Sequence, residues 1–442
     1  MTSIKDPKKY NVIGTRPVRP DGTDKVTGRA LYGADFDMAG LLHGKILRSP
    51  HPHARIKSIN FDEALKIDGV LAVVTSKDLP DNPDGTSSVA YGRGNILAKD
   101  KVLYVGHAIA GVAAIDPHTA EEALEVIKVD YEILSPSLSV EEAMDDDAEV
   151  IHENAFMKEF GEMTTINNNI DEHFQHKIGN VSKGFDEADL VVEGKYSTVM
   201  VHQGYIEPHA ATVLWKADGS ITVWSSTQGA FPDRDEMSVI LDVPISKIKV
   251  VPMEIGGGFG GKIPIYQEPV AALLSKKTGK PVKILMSRKE VFESTGPTPG
   301  GYTWIKIGVK NNGKIIAMQA ELAFEAGAFP GSPVGMGSQC VFAAYNCGNQ
   351  LIDGYDVIVN KPKTAAYRAP GSPNAAFATE QVIDEISKKL NIDPIDLRLL
   401  NAVKEGDRRA DGPKFPVIGL IEVLEAMKNS PQYKKSLDGP NK

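Results

Sequence analysis

Short stretches of apolar and β-branched residues, separated by polar turns, dominate the opening part of the chain. Residues 40–48, 70–76 and 108–116 read as strands, and 118–127 carries helical spacing before a further strand at 128–133. From 136 to 189 the periodicity fails: Asp145-Asp146-Asp147 and Asn167-Asn168-Asn169 stand among few aliphatic residues, which predicts a long connector crossing the surface. Strand patterning returns at 190–196, and Asp218-Gly219 between 211–215 and 220–225 predicts a hairpin. A helix over 232–241, a strand over 248–251, a helix over 270–277 stopped by Gly279 and a strand over 281–286 follow. Asn311-Asn312-Gly313 joins strands 302–309 and 314–324 into a second hairpin. Ser372-Pro373 opens a helix with Ser372 as its N-cap and Phe377, Ile383, Ile386 and Leu390 near one face. A final helix over 419–428 precedes the polar end Pro440-Asn441-Lys442, and no internal repeat is present.

This order defines an α+β protein with four parts: an N-terminal extension over 1–20, a first α+β domain over 21–135, the connector 136–189 and a second α+β domain over 190–442. A chain of 442 residues with 42% hydrophobic and 24% charged residues can bury a substantial core and is not a disordered composition. Lys and Arg number 49 against 58 Asp and Glu, a net charge of −9 with no basic stripe, which argues against nucleic-acid binding. The opening residues lack the apolar core of a signal peptide and no run approaches the roughly 18 apolar residues of a membrane span, so a cytoplasmic location is expected. Cys340 and Cys347 are the two cysteines, too few for an iron–sulfur cluster, which takes about four thiolates. Any redox relay therefore lies on another chain, and the two thiols read as small buried apolar groups.

The densest chemical signal is Gly256-Gly257-Gly258-Phe259-Gly260-Gly261-Lys262, which leaves several backbone N–H groups unshielded by any Cβ. Three readings compete. The dinucleotide pattern fits Gly256, Gly258 and Gly261 but lacks the acidic residue roughly twenty positions later. The phosphate-loop pattern fits except that Ile263 stands where a hydroxyl would bind magnesium. The third reading is a tight structural turn. Two further stretches carry donors: Tyr367-Arg368-Ala369-Pro370-Gly371-Ser372-Pro373 places an arginine before a helix N-terminus, and Ser225-Ser226-Thr227-Gln228-Gly229 puts a Gln amide at a strand end. Each alone is equally a surface turn or a polar strand terminus. The histidine pairs His51 with His53 and His173 with His176 lack a third ligand nearby, so metal binding by either is not expected.

Taken in order, these stretches resemble the molybdenum subunit of the xanthine dehydrogenase and aldehyde oxidase family, the molybdenum hydroxylases. Asp24-Lys25-Val26-Thr27-Gly28-Arg29-Ala30 and Arg48-Ser49-Pro50-His51-Pro52-His53-Ala54-Arg55-Ile56 resemble the family's α/β hammerhead domain, and Tyr205-Ile206-Glu207-Pro208-His209-Ala210 resembles the start of its first molybdopterin-binding domain. The resemblance implies that Gln228 and Arg368 are catalytic and that Gln228, Gly257, Gly258, Phe259, Gly260, Arg368 and Ala369 bind the cofactor, with the amides of Phe259 and Gly260 near it. It implies Mo-molybdopterin, in the cytosine dinucleotide form, with molybdenum held by the pterin dithiolene and no protein metal ligand. It also implies hydroxylation with water as oxygen source and electron transfer to a 2Fe-2S subunit and an FAD subunit. Ile263 and Pro370 depart from the purine enzymes' acidic and aromatic residues, and Ala369 departs from the cysteine of the carbon monoxide enzymes. An electron-poor, nicotinate-like heteroaromatic is therefore the expected small-molecule substrate. The family's later glutamine and glycine motifs and its general-base glutamate are not found, so either the sequence is a truncated protein or the site is shared with a second molybdopterin-binding subunit carrying the glutamate; the second alternative resembles the split nicotinate dehydrogenase. The alternatives are an aldehyde oxidoreductase of the same family, a nucleotide-binding enzyme using residues 256–262, or a non-catalytic cofactor-binding or assembly protein.

Overall fold

The computed structural model describes residues 10–81 and 87–435. The polar residues 1–9 and the end Pro440-Asn441-Lys442 lie outside the described residues. Two seven-stranded sheets and one three-stranded sheet organise the rest. The first sheet runs in the order Ile248–Pro252, Ile221–Ser225, Ala210–Trp215, Val282–Leu285, Leu42–Arg48, Ala108–Ala114, Val70–Thr75. Its middle is a parallel pairing of Leu42, His43 and Gly44 with Val282, Lys283 and Ile284, so strands from both ends of the chain share one sheet. The hairpin signal at Asp218-Gly219 corresponds to the antiparallel pair Ala210–Trp215 and Ile221–Ser225. The three-stranded sheet, Lys101–Val102, Ala54–Asn60 and Lys128–Ile133, lies entirely within the N-terminal part.

The helix Glu268–Thr278 crosses the first sheet and is buried from Glu268 to Ser275. Gly111 permits this approach, because a Cβ there would sit 2.5 Å from Val270 Cγ1. Gly279 ends the helix at φ 66°, the left-handed geometry that glycine adopts without a Cβ clash. Val270, Leu273 and Leu274 join Leu42, Val74, Val213, Val223 and Ile284 in one core. Burying each such side chain contributes about 1.5–3 kcal/mol before its entropy cost.

The second large sheet runs Leu190–Thr198, Gly301–Val309, Ile315–Gly327, Gln350–Ile358, Ile170–Ile178, Lys158–Glu159, Glu162–Met163. The stretch 136–189, expected to be an unstructured connector, thus contributes three strands, and Ile170–Ile178 pairs antiparallel with Gln350–Ile358 along most of its length. Its exposed residues Gln175 and Lys177 and its half-buried residues Asp171 and Glu172 are polar, and such residues mask the strand pattern. The helix Ser372–Leu390 packs on this sheet through Ala375, Ala378, Val382, Ile383 and Ile386. Two expectations change there. Gly371, at φ 76°, is the N-cap, so Ser372 is the first helical residue and its hydroxyl contacts Cys340 Sγ instead. Phe377 is exposed, with only its edge against Tyr196. Cys347 is buried as expected and Cys340 is partly exposed. Among the described residues no helix is long and apolar enough to cross a membrane.

Candidate cofactor site

Strand Ile221–Ser225 ends beside the loop that follows Ile248–Pro252, because the two strands are parallel neighbours. The chain leaving the first, Ser226 to Gln228, therefore runs against the glycine-rich loop. Gln228 N–H donates to Lys262 O at 2.8 Å, and Gln228 Oε1 accepts from Gly260 N–H at 2.8 Å and Lys262 N–H at 3.2 Å. Gly258 must be glycine here, since a Cβ would lie 2.4 Å from Gln228 Oε1. Phe259, at φ 53°, turns its carbonyl outward to accept the Arg368 N–H at 2.8 Å. This bond ties the arginine loop to the glycine loop. Gln203 adds a second tie: its buried Nε2 donates to Gly296 O and to Ala366 O, while Gly261 presses against the same amide.

Sequence-remote segments thus converge on one exposed patch holding Gln228, Phe259, Ile263, Arg368 and Ala369. Gly257, at φ 99°, and Gly258 lie in the loop behind it. Gln228 Nε2, the Phe259 N–H and the Arg368 guanidinium have no acceptor among the described residues, so all three remain available to a ligand. Bonds inside the loop limit which of its groups can meet a ligand. The Gly260 N–H is consumed by Gln228 Oε1, so it shapes the loop rather than facing outward. By the same bond Gln228 can donate outward but its oxygen is not free to accept from a ligand.

Behind the patch, Lys262 is fully buried and its Nζ donates to Glu207 Oε2 at 2.6 Å. The same oxygen accepts the Gly256 N–H at 2.7 Å, which anchors the start of the loop. Lys262 also lies over the Tyr205 ring, whose hydroxyl meets His209 Nε2 at 2.5 Å. Burial pushes Lys262 below the usual lysine range while Glu207 pulls it back, and burial holds His209 neutral well below the ordinary histidine value. This arrangement removes the nucleotide readings. The lysine of a phosphate loop must reach a ligand, and Lys262 cannot. Nor does a helix N-terminus follow the loop directly, since the next helix begins at Glu268. Glu207 and Gln203 were not singled out for these roles from sequence; a carboxylate 55 residues from its lysine leaves no local signal.

Among the described residues no group of three His, Cys, Asp or Glu side chains could hold a metal ion. His173 is instead stacked on Tyr355 and bonded to Asp353 and Glu159, and His53 Nδ1 meets Ser135 O. Among the described residues the site offers N–H donors and a cation without metal ligands, the chemistry of a surface that can bind an anionic group. Residues 163–402 match the molybdopterin cofactor-binding domain, and residues 27–135 match the aldehyde oxidase and xanthine dehydrogenase a/b hammerhead domain. The chain belongs to the xanthine dehydrogenase and aldehyde oxidase family of molybdenum hydroxylases.

Among its relatives, the nicotinate dehydrogenase large molybdopterin subunit of Eubacterium barkeri is 33% identical over 95% of this chain and 96% of its own length. The xanthine dehydrogenase molybdenum-binding subunit of Escherichia coli O157:H7 is 32% identical over 92% of this chain and 54% of its own length. The structure of aldehyde oxidoreductase from Desulfovibrio gigas superposes with a TM-score of 0.85 at 28% identity, covering 94% of this chain and 46% of that one. The chain thus spans about half the length of the last two and nearly all of the first.

Proposed function

We propose that this chain is the molybdopterin-binding subunit of a molybdenum hydroxylase that oxidises an electron-poor, nicotinate-like heteroaromatic with water as oxygen source. The observation that carries the reading is the convergence of Gln228, the glycine loop and the Arg368 loop on one exposed patch with three unused donor groups. Those donors suit a cofactor whose metal is held by its own dithiolene and whose anionic groups need hydrogen bonds from the protein. Molybdopterin, in its cytosine dinucleotide form, supplies the two-electron redox chemistry when bound. Gln228 Nε2 and the Phe259 N–H would hold it from the glycine-loop side, and the Arg368 guanidinium would neutralise negative charge from the other. Phe259 and Ile263 present apolar surface that displaces water from beside these donors. Ile263 favours a ring without a purine's hydrogen-bonding edge.

Electrons pass to a 2Fe-2S subunit and an FAD subunit, and a second molybdopterin-binding subunit brings the catalytic glutamate. Support comes from the chain's two cysteines and from its near-complete match to a relative described as a large molybdopterin subunit. An aldehyde as substrate is the second reading, favoured by the superposition on aldehyde oxidoreductase.

Purification of the native complex through a tag on this chain tests the assignment. Expected are about one molybdenum with pterin per chain, co-purifying iron–sulfur and flavin subunits, and turnover of nicotinate-like rings above aldehydes. A nucleotide in place of molybdenum, or an empty site, overturns it. The 442-residue chain alone is expected to be inactive with artificial acceptors. Gln228→Ala and Arg368→Ala in that complex should each lower turnover by about 10²-fold or more. The Arg368→Ala unfolding midpoint should move little, because that side chain is exposed, whereas Gln228→Ala also strips the acceptor from the Gly260 and Lys262 N–H groups and should cost about 1–3 kcal/mol. Unchanged turnover in both variants would remove these residues from the site.

A further inference from the structure

Directly behind Gln228 the protein buries acidic side chains that the proposed chemistry does not use. Asp233 lies buried on the helix Ala230–Leu241 with Glu236 at the exposed edge of the group, and Glu268 opens the helix packed beside it. Asp233 and Glu268 are both more than nine-tenths buried, and none of the three carboxyls forms an ion pair with a cation among the described residues. Their hydrogen bonds go to two chain segments only. Glu268 Oε1 accepts from Ser225 Oγ at 2.7 Å, and Glu268 Oε2 accepts from the Tyr266 N–H at 2.8 Å. Asp233 lies against the Thr227 hydroxyl, and Glu236 Oε2 accepts from the Ile265 N–H at 3.3 Å. Residues 225–227 lead into Gln228, and 265–266 leave the glycine loop. The acids therefore fasten both sides of the cradle from behind. Asp233 Oδ1 and both polar atoms of the fully buried Gln267 have no protein partner.

Two carboxylates this close in an apolar interior cannot both carry charge without a cation. Glu268 has the backbone amides of Gln267 and of its own residue as further donors, so it holds negative charge better. Asp233 has few donors. The groups facing it are Glu268, Glu236 and Thr227, and Tyr266 faces Glu268; none supplies a positive charge. We propose that Asp233 and Glu268 are positioning residues, a buried pair that carries at most one negative charge and holds the Gln228 segment against the glycine loop. Burial and the charge of Glu268 push Asp233 well above the usual carboxylate range, so it keeps its proton at neutral pH. When that proton is lost at alkaline pH, a second negative charge appears among buried side chains with no cation to offset it, and the two segments part. The consequence for catalysis rests on the reading of Gln228 as a cofactor-site residue; the clamp itself does not.

Hydrogen exchange on the purified chain, with and without cofactor, tests this. Corrected for intrinsic rate, peptides over 221–229 and 259–268 should lose at least tenfold protection as pH rises from 7 to 9, while peptides over the helix Ser372–Leu390 should not. Asp233→Asn, which keeps the shape and cannot ionise, should stay protected across that range. In the holo complex kcat should fall over the same range, and Asp233→Asn should lack that alkaline limb. Protection independent of pH in the native chain, or the same loss in Asp233→Asn, overturns the proposal. If Asp233→Asn does not fold, infrared titration of the native chain decides: a protonated-carboxyl band lost in step with loop opening supports the pair, and its absence at pH 7 overturns it. A chain that opens as described yet retains no molybdenum overturns only the cofactor assignment.

Discussion

Gly260→Val should abolish molybdenum retention while the chain still folds. Gly260 stands at φ 108°, a conformation that a β-branched residue does not tolerate, and an added Cβ would lie 2.4 Å from Ala366 O and 2.8 Å from Ala366 Cβ. Neither neighbour is the mobile end of a side chain. The glycine loop and the arginine loop would have to separate, which would break the Gly260 N–H bond to Gln228 Oε1 and draw Arg368 N–H from Phe259 O. Those bonds hold the patch together, whereas the two main cores lie among the sheets and helices away from the loop. Metal analysis of the purified variant should give less than a tenth of the native molybdenum content, with circular dichroism retained. Native molybdenum content would mean that the loop does not contact the cofactor.

Lys262→Met should be among the most destabilising single changes at the site. It leaves the Glu207 carboxylate buried without its cation, and breaking such a pair costs about 3–5 kcal/mol. The loss exceeds that of an exposed ion pair such as Lys66 with Glu63, where water takes over both charges. Adding Glu207→Gln to Lys262→Met should recover much of the loss, because the orphaned charge is gone and an amide can still accept the Gly256 N–H. Denaturant unfolding of the two single variants and the double variant forms the cycle. A Lys262→Met loss below about 1 kcal/mol, or strict additivity in the double variant, would show that the pair does not anchor the loop.

Local patterns were legible where chemistry and geometry coincide within a few residues. Asp218-Gly219 and Asn311-Asn312-Gly313 mark real hairpins because in each case the turn and the strand alternation lie in one contiguous stretch of chain. Ile170–Ile178 was hidden because Asp171, Glu172, Gln175 and Lys177 weaken the strand signal, and its pairing partner Gln350–Ile358 lies far along the chain. The glycine-rich loop, the Gln228 strand end and the Arg368 loop could be found as separate motifs. Their mutual hydrogen bonds could not, since Gly260 to Gln228 and Arg368 to Phe259 span 32 and 109 residues. Whether a given N–H faces outward or is spent inside the loop is a property of that closure. The buried positions of Lys262 and Glu207 follow from it too.

The pairing of Leu42–Arg48 with Val282–Leu285 carries a practical consequence for dissecting the chain. A cut anywhere in 136–189 leaves each fragment with half of a sheet, and the exposed rim on one side would be the row of main-chain groups of Leu42, His43 and Gly44. Unpaired, apolar-flanked rims of this kind recruit other copies of themselves. The N-terminal fragment is thus expected to precipitate when produced alone and to become soluble when the C-terminal fragment is produced beside it. The seam also joins residues some 240 positions apart, so it cannot close during synthesis until Val282 has emerged, long after the N-terminal half of the sheet. A nascent chain stalled before Val282 would expose that rim to the ribosome's surroundings, which makes the last step of sheet closure the point at which a chaperone has most to do.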